Sequence, residues 1–115
     1  MQALPAAGTM LIAEDDPDWI NLYNDYGELF DLAFTLVKTP EAAIEVLQGG
    51  EVSYFLCDGS GWDEAIQLGI SIGCLVVIQT GDPEQHRQYG VPVISKIDGH
   101  HAIMRQFLAL AGIVV

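Results

Sequence analysis

Apolar and polar positions follow one another along the chain in two kinds of block, short continuous apolar runs and longer stretches with apolar residues three and four apart. The runs "TMLIAE" (9–14), "AFTLV" (33–37), "VSYFLC" (52–57), "CLVVIQ" (74–79) and "VPVIS" (91–95) are of the first kind and read as short strands. Between the first two, Trp19, Leu22, Tyr23, Tyr26, Leu29 and Phe30 recur at helical spacing, which predicts an amphipathic helix over 17–30 with the stripe of Trp19, Tyr23 and Tyr26 packed in the core. Pro17 suits its first turn and Asp16 its N-cap. A second helix over 39–47 opens on Thr39 as cap and Pro40, and Gly49-Gly50 stops it. A glycine-interrupted helix covers 62–69, and "DPEQHRQY" (82–89) makes a short helix. The last helix runs over 99–111, with Ile103, Phe107 and Leu110 on one stripe and Gly112 as its stop.

Strands that alternate with helices in this way call for a parallel sheet covered on both faces, because each crossover is right-handed. Such sheets bind ligands beyond the carboxyl ends of their strands, near the point where strand order reverses. The first, third, fourth and fifth strands end respectively on Glu14-Asp15, Asp58, Thr80 and Lys96, so these residues are expected on one edge.

Composition narrows the partners. The 115 residues are expected to form one domain, with a core of about 9–112, and half of them are apolar, so the chain is globular. Sixteen acids stand against four basic residues, Lys38, Arg87, Lys96 and Arg105, for a net charge of −12. That balance argues against nucleic acid and an anionic membrane surface as direct partners, and any anionic ligand needs a local cation. With so few basic residues, Lys96 on the expected site edge is informative. No apolar run approaches the roughly 20 residues of a membrane span, and "MQALPAAG" has neither the basic residue nor the apolar centre of a signal peptide. Cys57 and Cys74 are too few for a disulfide framework; they sit at opposite ends of their strands and are expected as reduced core thiols. A cytoplasmic setting fits these features. His100 and His101 have no acid or cysteine at ligand spacing and read as exposed. The apolar "IVV" (113–115) is open between packing on the sheet and pairing between chains, which admits a homodimer.

Within "MLIAEDDPDW" (10–19) three carboxylates crowd the end of a buried strand. Two such charges about 5.5 Å apart repel by about 3 kcal/mol at an effective dielectric of 20, so they point apart into water or share a counter-charge. Mg²⁺ takes oxygen ligands and suits carboxylates from separate strand ends. A lone Asp58, the hydroxyl of Thr80 and the ammonium of Lys96 complete a set fitted to phosphoryl chemistry on a carboxylate.

The order "LIAEDDP", "YFLCD", "VVIQT" and "VISK" resembles the receiver domain of bacterial response regulators over nearly the whole chain. The resemblance implies a three-layer (βα)5 flavodoxin-like α/β fold with a parallel five-stranded sheet in the order 2-1-3-4-5. It implies that Asp58 accepts a phosphoryl group from a histidine kinase or histidine phosphotransfer protein, with Mg²⁺ at Glu14, Asp15, Asp58 and the backbone carbonyl of Ser60. Thr80 then matches the switch hydroxyl and Lys96 the lysine of the family, and the readout is a changed contact with a downstream protein. Such a chain is not an enzyme beyond self-catalysed transfer and hydrolysis.

Three positions depart from the family pattern. "DGSGWDEA" lacks the Met-Pro that follows the acceptor, Ile97 stands where a proline follows the lysine, and Val93 stands at the aromatic switch position. They carry a rival reading, a degenerate receiver that acts as a phosphorylation-independent interaction module. A small Mg²⁺-dependent phosphatase is less apt, since no general acid lies two residues after Asp58. A flavodoxin-like cofactor binder lacks a phosphate loop after the first strand.

Overall fold

The computed structural model describes residues 9–59 and 61–113. The readings made above for "MQALPAAG", for Ser60 and for the last two valines lie outside the described residues. The strands are β1 (Thr9–Ala13), β2 (Thr35–Val37), β3 (Val52–Asp58), β4 (Leu75–Thr80) and β5 (Val93–Ser95). They form one parallel sheet in the order β2-β1-β3-β4-β5, as expected. The helices are α1 (Pro17–Phe30), α2 (Pro40–Gln48), α3 (Asp63–Ser71) and α4 (His100–Ala111), with 3-10 segments at Pro83–Tyr89 and Lys96–Asp98.

Two cores flank the sheet. On one face Ile12, Leu56, Val77 and Ile94 pack against Tyr23 and Tyr26 of α1 and Ile103 and Phe107 of α4. On the other, Leu11, Phe55, Val76 and Ile78 pack against Ala43 and Leu47 of α2 and Ile66 of α3. Neighbouring strand residues thus feed opposite layers, which is why each strand is apolar throughout rather than alternating.

The capping chemistry matches the sequence. Asp16 Oδ1 accepts the Asp18 N–H at 2.9 Å, and Thr39 Oγ1 accepts the Ala42 N–H at 3.2 Å. Several expectations are corrected. The segment after Thr80 is a 3-10 helix and not an α-helix: Asp82 gives it no side-chain cap, and Gly90 ends it in a left-handed conformation, φ 72°. The second strand starts two residues late, at Thr35, and the fifth starts at Val93, after Pro92, whose ring nitrogen has no N–H to give a ladder. The apolar stripe of α1 turns earlier than the spacing suggests. Ile20, Tyr23, Tyr26 and Gly27 are its buried positions, while Leu29 is 69% exposed and Phe30 borders solvent. In α4 the buried face is Ile103, Met104, Phe107 and Leu108, and Leu110 is half exposed.

Both cysteines are free. Cys57 lies level with Ile78, four residues along β4 from Cys74, about 13 Å at strand rise. Burial, then the charges of Asp58 and Glu14, push the Cys57 thiol well up, so it stays protonated. His101 is exposed and sits edge-on to Tyr26, 5.2 Å between ring centres. Among the described residues no helix is long and apolar enough to cross a membrane.

Candidate functional site

The register brings the strand ends to one level. Ala13 pairs with Cys57, and Asp58 pairs with Gln79, so Glu14, Asp58 and Gln79 follow one another across the sheet. Strand alternation turns them to the α1/α4 face, directly above Ile12, Leu56 and Val77. Lys96, two residues after Ile94, adds the fourth member. A buried apolar row is therefore capped by a row of charge and amide.

Local sequence fixes each member. The Glu14 N–H donates to Val37 O at 3.0 Å, which extends the β1–β2 ladder by one residue and buries the side chain completely. Asp16 is spent as the cap of α1, and Asp15 stays exposed. After β5, Ser95 Oγ accepts the Ile97 N–H at 3.2 Å and starts the turn on which Lys96 sits. A proline at 97 would have no N–H to make that bond, so the departure at Ile97 comes with a different anchor for the lysine loop.

The ammonium of Lys96 lies 3.0 Å from Glu14 Oε1 and 3.3 Å from Asp58 Oδ1. It also lies over the Trp19 ring, 4.8 Å from the ring centre. Asp58 Oδ1 also accepts the Gly59 N–H at 2.9 Å. Burial and the negative charge of Glu14 raise the Asp58 carboxyl above its usual pKa, and Lys96 and the Gly59 N–H pull it partly back. Beneath them Tyr23 is fully buried. Burial first, then Glu14 and Asp58, push its phenol far up, so it is a neutral O–H donor.

Glu14, Asp15 and Asp58 each offer a carboxylate oxygen, and these oxygens lie within 4.8 Å of one another. The donors are all hard oxygens, two from just after β1 and one from the end of β3, a set that fits Mg²⁺ or Mn²⁺ and not a thiolate or imidazole metal. Glu14 is the most committed of the three, because Oε1 also accepts the Gln79 Nε2–H at 2.8 Å and Oε2 the Asp16 N–H at 3.2 Å.

Four of the residues singled out from sequence therefore converge: Glu14, Asp15, Asp58 and Lys96. Thr80 stands at the same rim, buried, but its Oγ1 accepts the Asp82 N–H at 3.1 Å, the local turn that "TGDP" also permits. Gln79, one residue earlier, is the polar side chain that β4 turns to Glu14. Its signal in the sequence is an amide closing an otherwise apolar run. His86 was also missed. It is nearly buried and packs on Gly59, so closely that a Cβ on Gly59 would meet its Cε1 at 2.6 Å. Trp19, read as core, also holds the lysine.

No protein-family profile matches the chain, and no curated protein matches it in sequence. Solved structures do match. The BeF3-activated conformation of SdrG from Pseudomonas melonis Fr1 is 21% identical, with 93% of this chain and 98% of that one aligned and a TM-score of 0.70. A chain in the crystal structure of the P1 domain of CheA3 in complex with CheY6 from R. sphaeroides is 16% identical, with 91% and 99% aligned and a TM-score of 0.63. A de novo designed Rossmann 2x3 fold protein is 19% identical, with 76% and 77% aligned and a TM-score of 0.69. That a designed scaffold matches as well shows that the likeness is one of architecture. The fold of this chain is the fold of response-regulator receiver domains.

Proposed function

We propose that the chain accepts a phosphoryl group on Asp58 from a phosphohistidine of a histidine kinase or phosphotransfer protein, and signals through changed contacts with a downstream protein. The observation that carries this reading is the Lys96 ammonium between the Glu14 and Asp58 carboxylates, with Asp15 completing a carboxylate cluster at the strand ends. The likeness to a chain of the CheA3 P1–CheY6 complex supports the class of partner. A cytoplasmic setting belongs to the same reading.

In the transfer, one Asp58 oxygen forms a bond to phosphorus as the P–N bond of the donor breaks. The electron pair stays on the imidazole nitrogen, which takes up a proton from solvent. Asp58 serves as nucleophile while ionised, and its remaining oxygen keeps the Gly59 N–H. Lys96 presents a compact positive charge to the incoming phosphoryl oxygens. Mg²⁺ held by Glu14, Asp15 and Asp58 would supply the further neutralisation that a dianionic group needs in so acidic a site. The chain performs no turnover beyond its own phosphorylation and dephosphorylation.

Incubation with Mg²⁺ and a small acyl-phosphate donor, read by intact mass, tests this. One labile phosphoryl adduct is expected on the wild type and none on Asp58→Ala. Absence of an adduct, together with no Mg²⁺ affinity, sinks the reading and favours the second one. That second reading, a phosphorylation-independent interaction module, draws on Thr80 and the segment after it. The hydroxyl is tied to Asp82, Pro83–Tyr89 is a 3-10 helix, and Val93 replaces an aromatic side chain.

A further inference from the structure

Gln79 is wholly buried at the end of β4, in a run that elsewhere supplies Val76, Val77 and Ile78 to the two cores. An apolar side chain there would serve packing better. The amide brings a cost as well, since its Oε1 has no hydrogen-bond partner among the described residues, and a buried acceptor left unpaired costs about 1–3 kcal/mol. A local rule broken inside a core at some cost in stability marks a functional requirement. What the amide does is plain from its other end. Nε2 donates to Glu14 Oε1 at 2.8 Å, the same oxygen that takes Lys96 at 3.0 Å, while the Asp16 N–H holds Oε2 at 3.2 Å. The orientation of the amide is fixed by chemistry, because the flipped form would set its carbonyl oxygen against a carboxylate that only accepts.

We infer that Gln79 is a positioning residue of this site: its amide N–H locks the Glu14 carboxylate in the rotamer that holds Lys96 beside Asp58. Glu14 has no solvent to orient it, so its two oxygens are set by two fixed N–H groups, one from β4 and one from the start of α1. The second lone pair of Oε1 is then left for Lys96 alone. Without the amide, Glu14 turns about its last bond, and Lys96 loses its shared anchor. The inference deepens the acceptor reading, and its test needs neither phosphoryl transfer nor a metal.

The chain has two lysines, and exposed Lys38 is an internal reference for Lys96. The full chain is labelled with a limiting amine-acetylating reagent in the presence of a chelator, and the Lys96:Lys38 labelling ratio is read by mass spectrometry. Gln79→Met keeps the length and removes the donor. It is expected to raise the ratio by about fivefold, the factor one net hydrogen bond is worth, with a cooperative thermal transition retained. Glu14→Gln raises the ratio too, and Gln79→Met added to it changes nothing further, because the amide acts through Glu14. A purely structural Gln79 would lower stability and leave the ratio alone. An unchanged ratio in Gln79→Met, or effects that add in the double variant, overturns the inference. Should Gln79→Met fail to fold, the wild type and Glu14→Met suffice. The Gln79 side-chain amide protons are expected widely split and slow to exchange by NMR, and the split collapses in Glu14→Met, which offers them no oxygen. A Gln79 signal identical in both proteins overturns it equally. Failure of phosphorylation with this result intact would remove the acceptor reading only.

Discussion

The Lys96 ammonium lies 3.3 Å from Oδ1 of Asp58 and so already neutralises a carboxylate that a divalent cation would also use. The two cations therefore compete. A unit charge about 6 Å from a bound divalent ion opposes it by several kcal/mol at an effective dielectric of 20. Lys96→Met is expected to tighten Mn²⁺ or Mg²⁺ binding by about tenfold or more, after discount for solvent screening. The same variant should slow adduct formation from an acyl-phosphate donor, since the phosphoryl oxygens lose their fixed ammonium. Isothermal titration and intact mass measure the two effects. Weaker metal binding in Lys96→Met would show that the lysine organises the carboxylates more than it competes for them.

The raised pKa of Asp58 sets the sign of a pH dependence. Burial and the Glu14 charge make the folded chain hold a proton on Asp58 more readily than the unfolded chain does. The stability this contributes is present below the ordinary aspartate pKa and lost as pH rises through the higher folded value. The ionised form of the side chain is thus a net burden on the fold. Asp58→Asn is expected to melt higher than wild type at neutral pH in chelator, with the gain shrinking as pH falls toward about 4, the ordinary aspartate range. A constant gain across that range would place its origin elsewhere than in the charge.

Trp19 gives the site an optical reporter. Its ring carries Lys96 at 4.8 Å, while Trp62 is buried in the other core against α3. A divalent cation that displaces the ammonium changes the field on the Trp19 indole. Titration with Mg²⁺ is expected to alter tryptophan emission in wild type and in Trp62→Phe, and to leave Trp19→Phe and Lys96→Met silent. A response retained in Trp19→Phe would mean that the loop near Trp62 moves instead.

What the sequence discloses of this site follows from how each residue reaches it. Glu14, Asp15, Asp58 and Lys96 are legible because each follows directly on an apolar run, and a parallel sheet sends all such ends to one edge. The choice between Gln79 and Thr80 is not legible, because it hangs on register. Asp58 pairs with Gln79, and a one-residue slip would have turned Thr80 to Glu14 instead. Likewise Leu29 and Phe30 obey the helical spacing, yet both face solvent, and only the packed structure shows that the buried stripe of α1 ends at Tyr26 and Gly27.

His86 is the residue furthest from sequence inference, since its contact is with a glycine 27 positions earlier. Its ring lies on Gly59, whose N–H holds Asp58 Oδ1, so the segment Pro83–Tyr89 touches the loop after Asp58 through one imidazole. An alanine Cβ at 59 would stand 2.6 Å from Cε1 and 2.7 Å from Nε2 of that ring. The ring is nearly buried, stacked parallel to Tyr89 and joined through Nδ1 to Asp82 O at 3.2 Å, so it has little freedom to retreat. Gly59→Ala is expected to cost about 1–3 kcal/mol, the usual range for an overpacked site. That corresponds to a fall of roughly 4–8 °C in Tm per kcal/mol for a domain near this size. In the His86→Ala background the same glycine substitution should cost under about 0.5 kcal/mol, because the two sites then no longer share a contact. Thermal or urea unfolding of the four proteins closes the cycle. Equal costs in both backgrounds would mean that the imidazole does not bear on the loop after Asp58. A coupling of the expected size would make the 3-10 segment a mechanical neighbour of Asp58, reached through His86, while the Thr80 hydroxyl is tied to Asp82.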